Sequence, residues 1–225
     1  MRKPEVDYRQ FRMGRLGEPQ FAHLKLLLGW VAFFALFFLT ERWIPAEKCT
    51  SVHIALDDAI PFCEWFLIPY LFWYLLILIS LGWFLLYRVE GFRRLQIYFM
   101  VVQGLAMLCY ILRPTRQDLR PVVFARDNIL TRGVAFLYTV DTNTGVCPSL
   151  HVAISLGIVS AWLKEKQTCG LWRVFVVFAA VMICLSTVFL KQHSALDFFA
   201  AIPVCLVAEY IAYAGWYRRK RNCLK

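Results

Sequence analysis

Acidic residues are sparse in this chain: 15 Asp and Glu stand against 25 Lys and Arg, giving a formal charge of +10. Such an excess suits nucleic acid only where basic residues cover a soluble face; here they flank apolar runs, which excludes a nucleic-acid partner. Histidine is scarcer still, with four in 225 residues. The eight cysteines form no CxxC pair and no ligand spacing with histidine, so no metal site and no cofactor is expected. No long polar stretch separates the apolar runs, so residues 1–225 read as a single domain. A cleavable leader is not expected either: the first 25 residues carry Arg2, Lys3, Arg9, Arg12, Arg15 and Lys25, and the apolar run behind them is long enough to remain as a span.

What is abundant is apolar side chain, 60% of the sequence, with 16% aromatic. A membrane-crossing helix needs about 20 mostly apolar residues. Six runs are candidates: Leu26 to Ile44, Trp65 to Tyr87, Leu95 to Leu112, Leu150 to Leu163, Trp172 to Leu190 and Phe198 to Tyr217. The expected fold is an all-α bundle of six transmembrane helices. The fourth run is short, so its start must lie within protein rather than lipid.

Positive charge marks the cytoplasmic side of membrane proteins. Seventeen Lys and Arg fall in the two termini and the two turns on one side, and eight fall on the other. Both termini are therefore expected in the cytoplasm. The segments Glu41 to Glu64, Arg113 to Ser149 and Lys191 to Asp197 are then extracytoplasmic, with the cell membrane as the expected location. Cys49 and Cys147 fall on that same side and could pair as a disulfide. Asp57 and Asp58, before Ile60-Pro61-Phe62, read as a lipid-surface segment that names no chemistry. The stretch from Arg126 to Val146 could gate lipid access.

Three polar clusters converge on the extracytoplasmic side. Arg113 and Arg120 lie seven apart, followed by Pro121; Cys147-Pro148-Ser149-Leu150-His151 opens the fourth run; His193 and Asp197 precede the sixth, spaced to share a helical face. A phosphate ester needs cations for its oxygens, which arginine forks supply. Helix N-terminal amides add to them. Pro148 suits a first helical turn. Ser149 Oγ and the amides of Leu150 and His151 would then face the anion. His193 can attack phosphorus if Asp197 holds its other ring nitrogen, and His151 can protonate the leaving oxygen. Arginines can stabilise the transferring group, so this chemistry demands no metal.

These residues resemble the type 2 phosphatidic acid phosphatase superfamily of membrane lipid phosphatases. Its motifs are Lys-x6-Arg-Pro, Pro-Ser-Gly-His and Ser-Arg-x5-His-x3-Asp. They stand here as Arg113-x6-Arg120-Pro121, Pro148-Ser149-Leu150-His151 and Ser186-Thr187-x5-His193-x3-Asp197. The resemblance implies a phosphohistidine on His193, with Asp197 orienting it and His151 as acid. It also implies Arg113, Arg120 and Ser149, with the Leu150 amide, as phosphate holders. Arg113 for Lys keeps the charge, and Leu150 for Gly needs apolar room. Thr187 for Arg removes a guanidinium; Lys191, four residues on, would replace that cation if the helix continues.

The expected activity is hydrolysis of a lipid phosphate or polyprenyl pyrophosphate through the phosphohistidine. The alternative is a phosphotransferase resembling inositol-phosphorylceramide or sphingomyelin synthases, moving a phospho-headgroup to a lipid alcohol. A third reading is a transporter or lipid-binding relative, with Glu209, ionisable inside the sixth run, in its pathway.

Overall fold

The computed structural model describes residues 3–222; Arg2, Cys223 and Lys225 lie outside them. The chain is mostly helical. Among the described residues, eight α-helices follow in order: α1 (Leu28–Trp43), α2 (Ala55–Ala59), α3 (Leu67–Tyr87), α4 (Val89–Leu112), α5 (Ile129–Val140), α6 (Leu150–Lys164), α7 (Gly170–Phe189) and α8 (Ala195–Asn222). Two short strands, β1 (Thr50–Ser51) and β2 (Thr115–Arg116), pair in parallel.

Five stretches are long and apolar enough to cross a membrane: Ala22–Trp43, Glu64–Tyr87, Val89–Leu112, Gly170–Phe189 and Ala195–Tyr217. They make the chain a multi-pass membrane protein. The sixth expected span, α6, has only 15 residues. It rises about 22 Å, short of the ~30 Å hydrocarbon core. Its side chains explain how that is tolerated. Val152 through Ser155, Gly157, Ile158, Ala161 and Trp162 are all buried against other helices. Close approach to α4 is built in at Gly157, where a Cβ would collide with the Tyr98 ring.

The core lies among α3, α4, α6, α7 and α8, with Phe84, Phe92, Tyr98, Phe99, Ile158 and Trp162 fully enclosed. By contrast, no residue of α1 is buried. It stands at the rim against α4.

Both ends of the bundle are tied. At one end Arg88, in the α3–α4 junction, pairs with Glu165, just past α6, at 2.8 Å. The N-terminal segment joins this end through the Tyr8 hydroxyl, which donates to Leu85 O at 2.8 Å. At the opposite end, the β1–β2 pair joins the segment after α1 to the segment after α4. Thr50 N donates to Pro114 O and Val52 N to Arg116 O. Helix α5 covers this end. Asn128 caps it by accepting from Leu130 N and Thr131 N, and its buried Thr131, Val134 and Leu137 face inward. Such spacing marks one helical face.

Candidate active site

The site forms where α6 and α8 begin. Helix α7 ends at Phe189, and the next residues turn sharply: Gln192 N and His193 N both donate to Thr187 O, at 2.9 and 3.0 Å. Lys191 sits at φ +54°, in the left-handed region. The turn thus corrects the expectation that Lys191 shares a helical face with Thr187. The Lys191 ammonium instead donates to Asp57 O at 2.8 Å and Ile60 O at 2.5 Å. Burial lowers its pKa. Thr187 is buried, and its hydroxyl donates back to Cys184 O.

His193 stands at the tip of this turn. Its Nδ1 lies 3.1 Å from Asp197 Oδ2, which also accepts from Ser194 N at 3.1 Å. Asp197 is fully buried, and its Oδ1 has no hydrogen-bond partner. The main chain welds this motif to the preceding one, because Ser149 N donates to Asp197 O at 3.1 Å.

Helix α6 begins two residues later than a first-turn Pro148 requires: Ser149 occupies the cap position, Leu150 opens the first helical turn and Pro148 precedes the cap. Ser149 makes no capping bond; its hydroxyl is fully buried and unpartnered. His151 follows in the first turn. Its ring packs 4.6 Å from Tyr70, 4.2 Å from Trp73 and 5.6 Å from His193, and its Nε2 is buried without a partner. Buried polar groups are normally satisfied, so the unpartnered His151 Nε2, on a residue that lines the adjoining cleft, is a candidate contact for a polar ligand.

The arginines are placed otherwise. Arg120 donates to Tyr138 O, Asp141 O, Thr142 O and Gln192 Oε1, with the last contact at 2.6 Å, and lies over the Tyr138 ring. It ties the end of α5 to the His193 turn, and burial lowers its pKa. Arg113 is exposed at the C-terminus of α4. Cys49 and Cys147 both carry free thiols. Burial, reinforced by the Asp197 charge, pushes the Cys147 thiol up to about 12.

A cleft of about 610 Å³ runs from this polar centre along the bundle. Leu150, His151, Gln192 and His193 close its head, and Trp30, Phe33, Phe34, Phe37, Leu78 and Leu81 wall its length between α1 and α3. No lysine or arginine lines it among the described residues.

Three contributors carried no sequence signal for this site. Asp57, in the segment assigned to the lipid surface, is buried. It accepts from Ser194 Oγ at 2.6 Å, Ala195 N at 2.7 Å and Ile54 N at 2.9 Å. Asp141 accepts from Tyr70 OH at 2.6 Å and Gln192 Nε2 at 3.2 Å. Tyr110 donates to Pro148 O at 2.7 Å. Glu209 lies far from this centre along α8. It pairs with Lys164 at 2.6 Å and accepts from Ser160 and Tyr217.

Comparisons with protein-family models, curated proteins and solved structures return no match.

Proposed function

We propose that this protein hydrolyses a lipid phosphate or pyrophosphate through a phosphohistidine on His193, as a membrane lipid phosphatase of the type 2 phosphatidic acid phosphatase kind. The observation carrying this reading is the meeting of His193–Asp197 and His151 at the head of an apolar cleft. A headgroup phosphate would sit between the imidazoles while the tail lies along the aromatic wall. The lysine and arginine distribution supports an extracytoplasmic site, six spans and cytoplasmic termini.

In the first step His193 Nε2 forms a bond to phosphorus as the bond from phosphorus to the lipid oxygen breaks. His151 gives its proton to that oxygen. Asp197 holds Nδ1–H of His193 and stabilises the charge developing on the ring. In the second step water attacks phosphorus, the N–P bond breaks, His151 takes the water's proton, and phosphate leaves. On this reading Ser149 Oγ and the amides opening α6 would hold phosphoryl oxygens.

The test is release of inorganic phosphate from a panel of detergent-solubilised lipid phosphates by the wild type and His193→Ala. Acid-labile, alkali-stable phosphate should be trapped on the wild type alone. Activity surviving in His193→Ala would falsify the reading.

The absence of lysine and arginine among the described residues lining the cleft favours a second reading, transfer to a lipid alcohol. A phosphodiester headgroup carries less charge than a terminal phosphate and makes a weaker demand for cations. Passage of a labelled headgroup to ceramide or diacylglycerol, without free phosphate, would identify it.

A further inference from the structure

The head of the cleft holds a carboxylate where a phosphate site would ordinarily hold a cation. Asp141 follows α5, fixed by its amide to Leu137 O at 2.8 Å. It lines the cleft with His151, Gln192 and His193. One carboxylate oxygen, Oδ2, accepts from Tyr70 and Gln192. Neither partner is a cation, so both leave the charge in place. The nearest guanidinium, Arg120, binds the main-chain carbonyls of Asp141 and Thr142 and does not line the cleft. A second carboxylate, Glu41, accepts from the hydroxyl of Thr142, which is itself a lining residue. Trp73 and Tyr74 also line the cleft, their rings 5.0 Å apart and edge to face.

A phosphate dianion entering alone would meet the Asp141 carboxylate in the lining itself, with the two imidazoles as the basic groups there and Arg120 one layer behind, bonded to Gln192 Oε1. A cationic group carried beside the phosphate reverses the balance. An ammonium is attracted both to a carboxylate and to the faces of tryptophan and tyrosine. It also makes the polar end of the substrate close to neutral, which lowers the cost of leaving water.

We propose that Asp141, with Trp73 and Tyr74, forms a subsite for an ammonium group, so that the preferred substrate is a lipid bearing an amine next to its phosphate. This rests on the phosphohistidine reading above and specifies its substrate class. Two lipid types supply that chemistry. The amine can sit in a headgroup esterified to the phosphate, as in phosphatidylethanolamine. It can also sit on the lipid itself, as in a long-chain base phosphate.

The experiment compares each amine lipid with its N-acetylated counterpart, which keeps the phosphate and loses the cation. Purified protein in detergent micelles near pH 7 is assayed for water-soluble phosphate from the base phosphate pair. Phosphoethanolamine or its N-acetyl form is measured from the other pair. The expected kcat/KM preference for the amine is about tenfold. It should fall to near parity in Asp141→Asn and persist in Asp141→Glu. The pair that shows the preference identifies the source of the amine. Equal turnover of amine and amide by the wild type, or a preference unchanged in a folded Asp141→Asn, overturns the subsite. Turnover of neither pair by protein that releases phosphate from another lipid of the panel also overturns the subsite, whereas activity retained by His193→Ala overturns the phosphohistidine reading instead.

Discussion

Asp57 Oδ2 accepts the Ser194 hydroxyl at 2.6 Å, joining residues 137 positions apart. The same carboxylate takes Ala195 N, and the Asp57 main-chain oxygen takes the Lys191 ammonium. One residue of the α2 segment thus grips the His193 turn on both sides. Removing Asp57 leaves a buried hydroxyl, two amides and one oriented turn without their acceptor. Asp57→Ala should lose about 3 kcal/mol of stability. Turnover should fall more than tenfold, with Asp57→Asn between the two. Thermal unfolding in detergent and initial rates measure both. An unchanged unfolding midpoint would show that the grip contributes nothing.

His151 lies behind Trp73 and Tyr70 with Nε2 free. In its proposed role as proton donor, it would matter in proportion to the basicity of the leaving oxygen. His151→Gln should slow release from a lipid alcohol by about 10²–10³-fold. With a nitrophenyl phosphate ester the loss should be far smaller. Equal losses on both substrates would remove the acid role and leave only a positioning one.

Cys147 offers a pH test independent of turnover. Burial and the Asp197 charge hold its thiol protonated to about 12 against an ordinary 9.0. The thiolate is the form that alkylates. Iodoacetamide should therefore modify Cys147 slowly in folded protein, at a rate still climbing through pH 10 without levelling, whereas after denaturation the reaction should be faster and level off above pH 9. The linkage has a definite sign. Above pH 9 the unfolded chain releases this proton while the folded chain keeps it. Cys147 therefore destabilises the fold progressively as pH rises from 9 towards 12. Cys147→Ala should show less alkaline destabilisation.

The Lys164–Glu209 pair joins α6 to α8, with the ammonium 4.4 Å from the Tyr213 ring centroid. Breaking such a half-buried pair from one side leaves a charge unpaired. Glu209→Ala should cost about 3 kcal/mol, while Lys164→Met with Glu209→Leu should recover much of that loss. A double-mutant cycle on unfolding midpoints measures it; additive effects would show that the two charges do not interact.

The helices were the most legible part of the sequence, because an apolar run of fixed length has few alternatives. Five of the six expected runs coincide with the long apolar helices, and the sixth is the short α6. Helix α4 begins at Val89, six residues before its apolar run, because the polar turn containing Glu90, Arg93 and Arg94 continues the helix. Helix α5 is not legible as a span, because its twelve residues are too few to cross a membrane and its pattern is amphipathic rather than uniformly apolar. The His193–Asp197 pair was visible through local spacing. Asp57 was invisible, since nothing near it in sequence indicates Ser194. Arg120 and Lys191 show the opposite limit. Their charge suggested phosphate, but the chain folds so that both donate to main-chain oxygens.

The brevity of α6 has a consequence for the setting in which the protein works. Arg88 and Glu165 hold the ends of α3 and α6 level at one end of the bundle. With 21 and 15 residues, the two helices rise about 31 and 22 Å, so α6 stops ~9 Å below its neighbour at the other end. His151 is therefore recessed, as though at the bottom of a shaft. A host bilayer of shorter acyl chains would bring bulk water nearer to the recess, and a thicker one would seal it more deeply in hydrocarbon. Under the proposed function, membrane thickness would then control hydration of the phosphorus at His193, tunable without altering a residue.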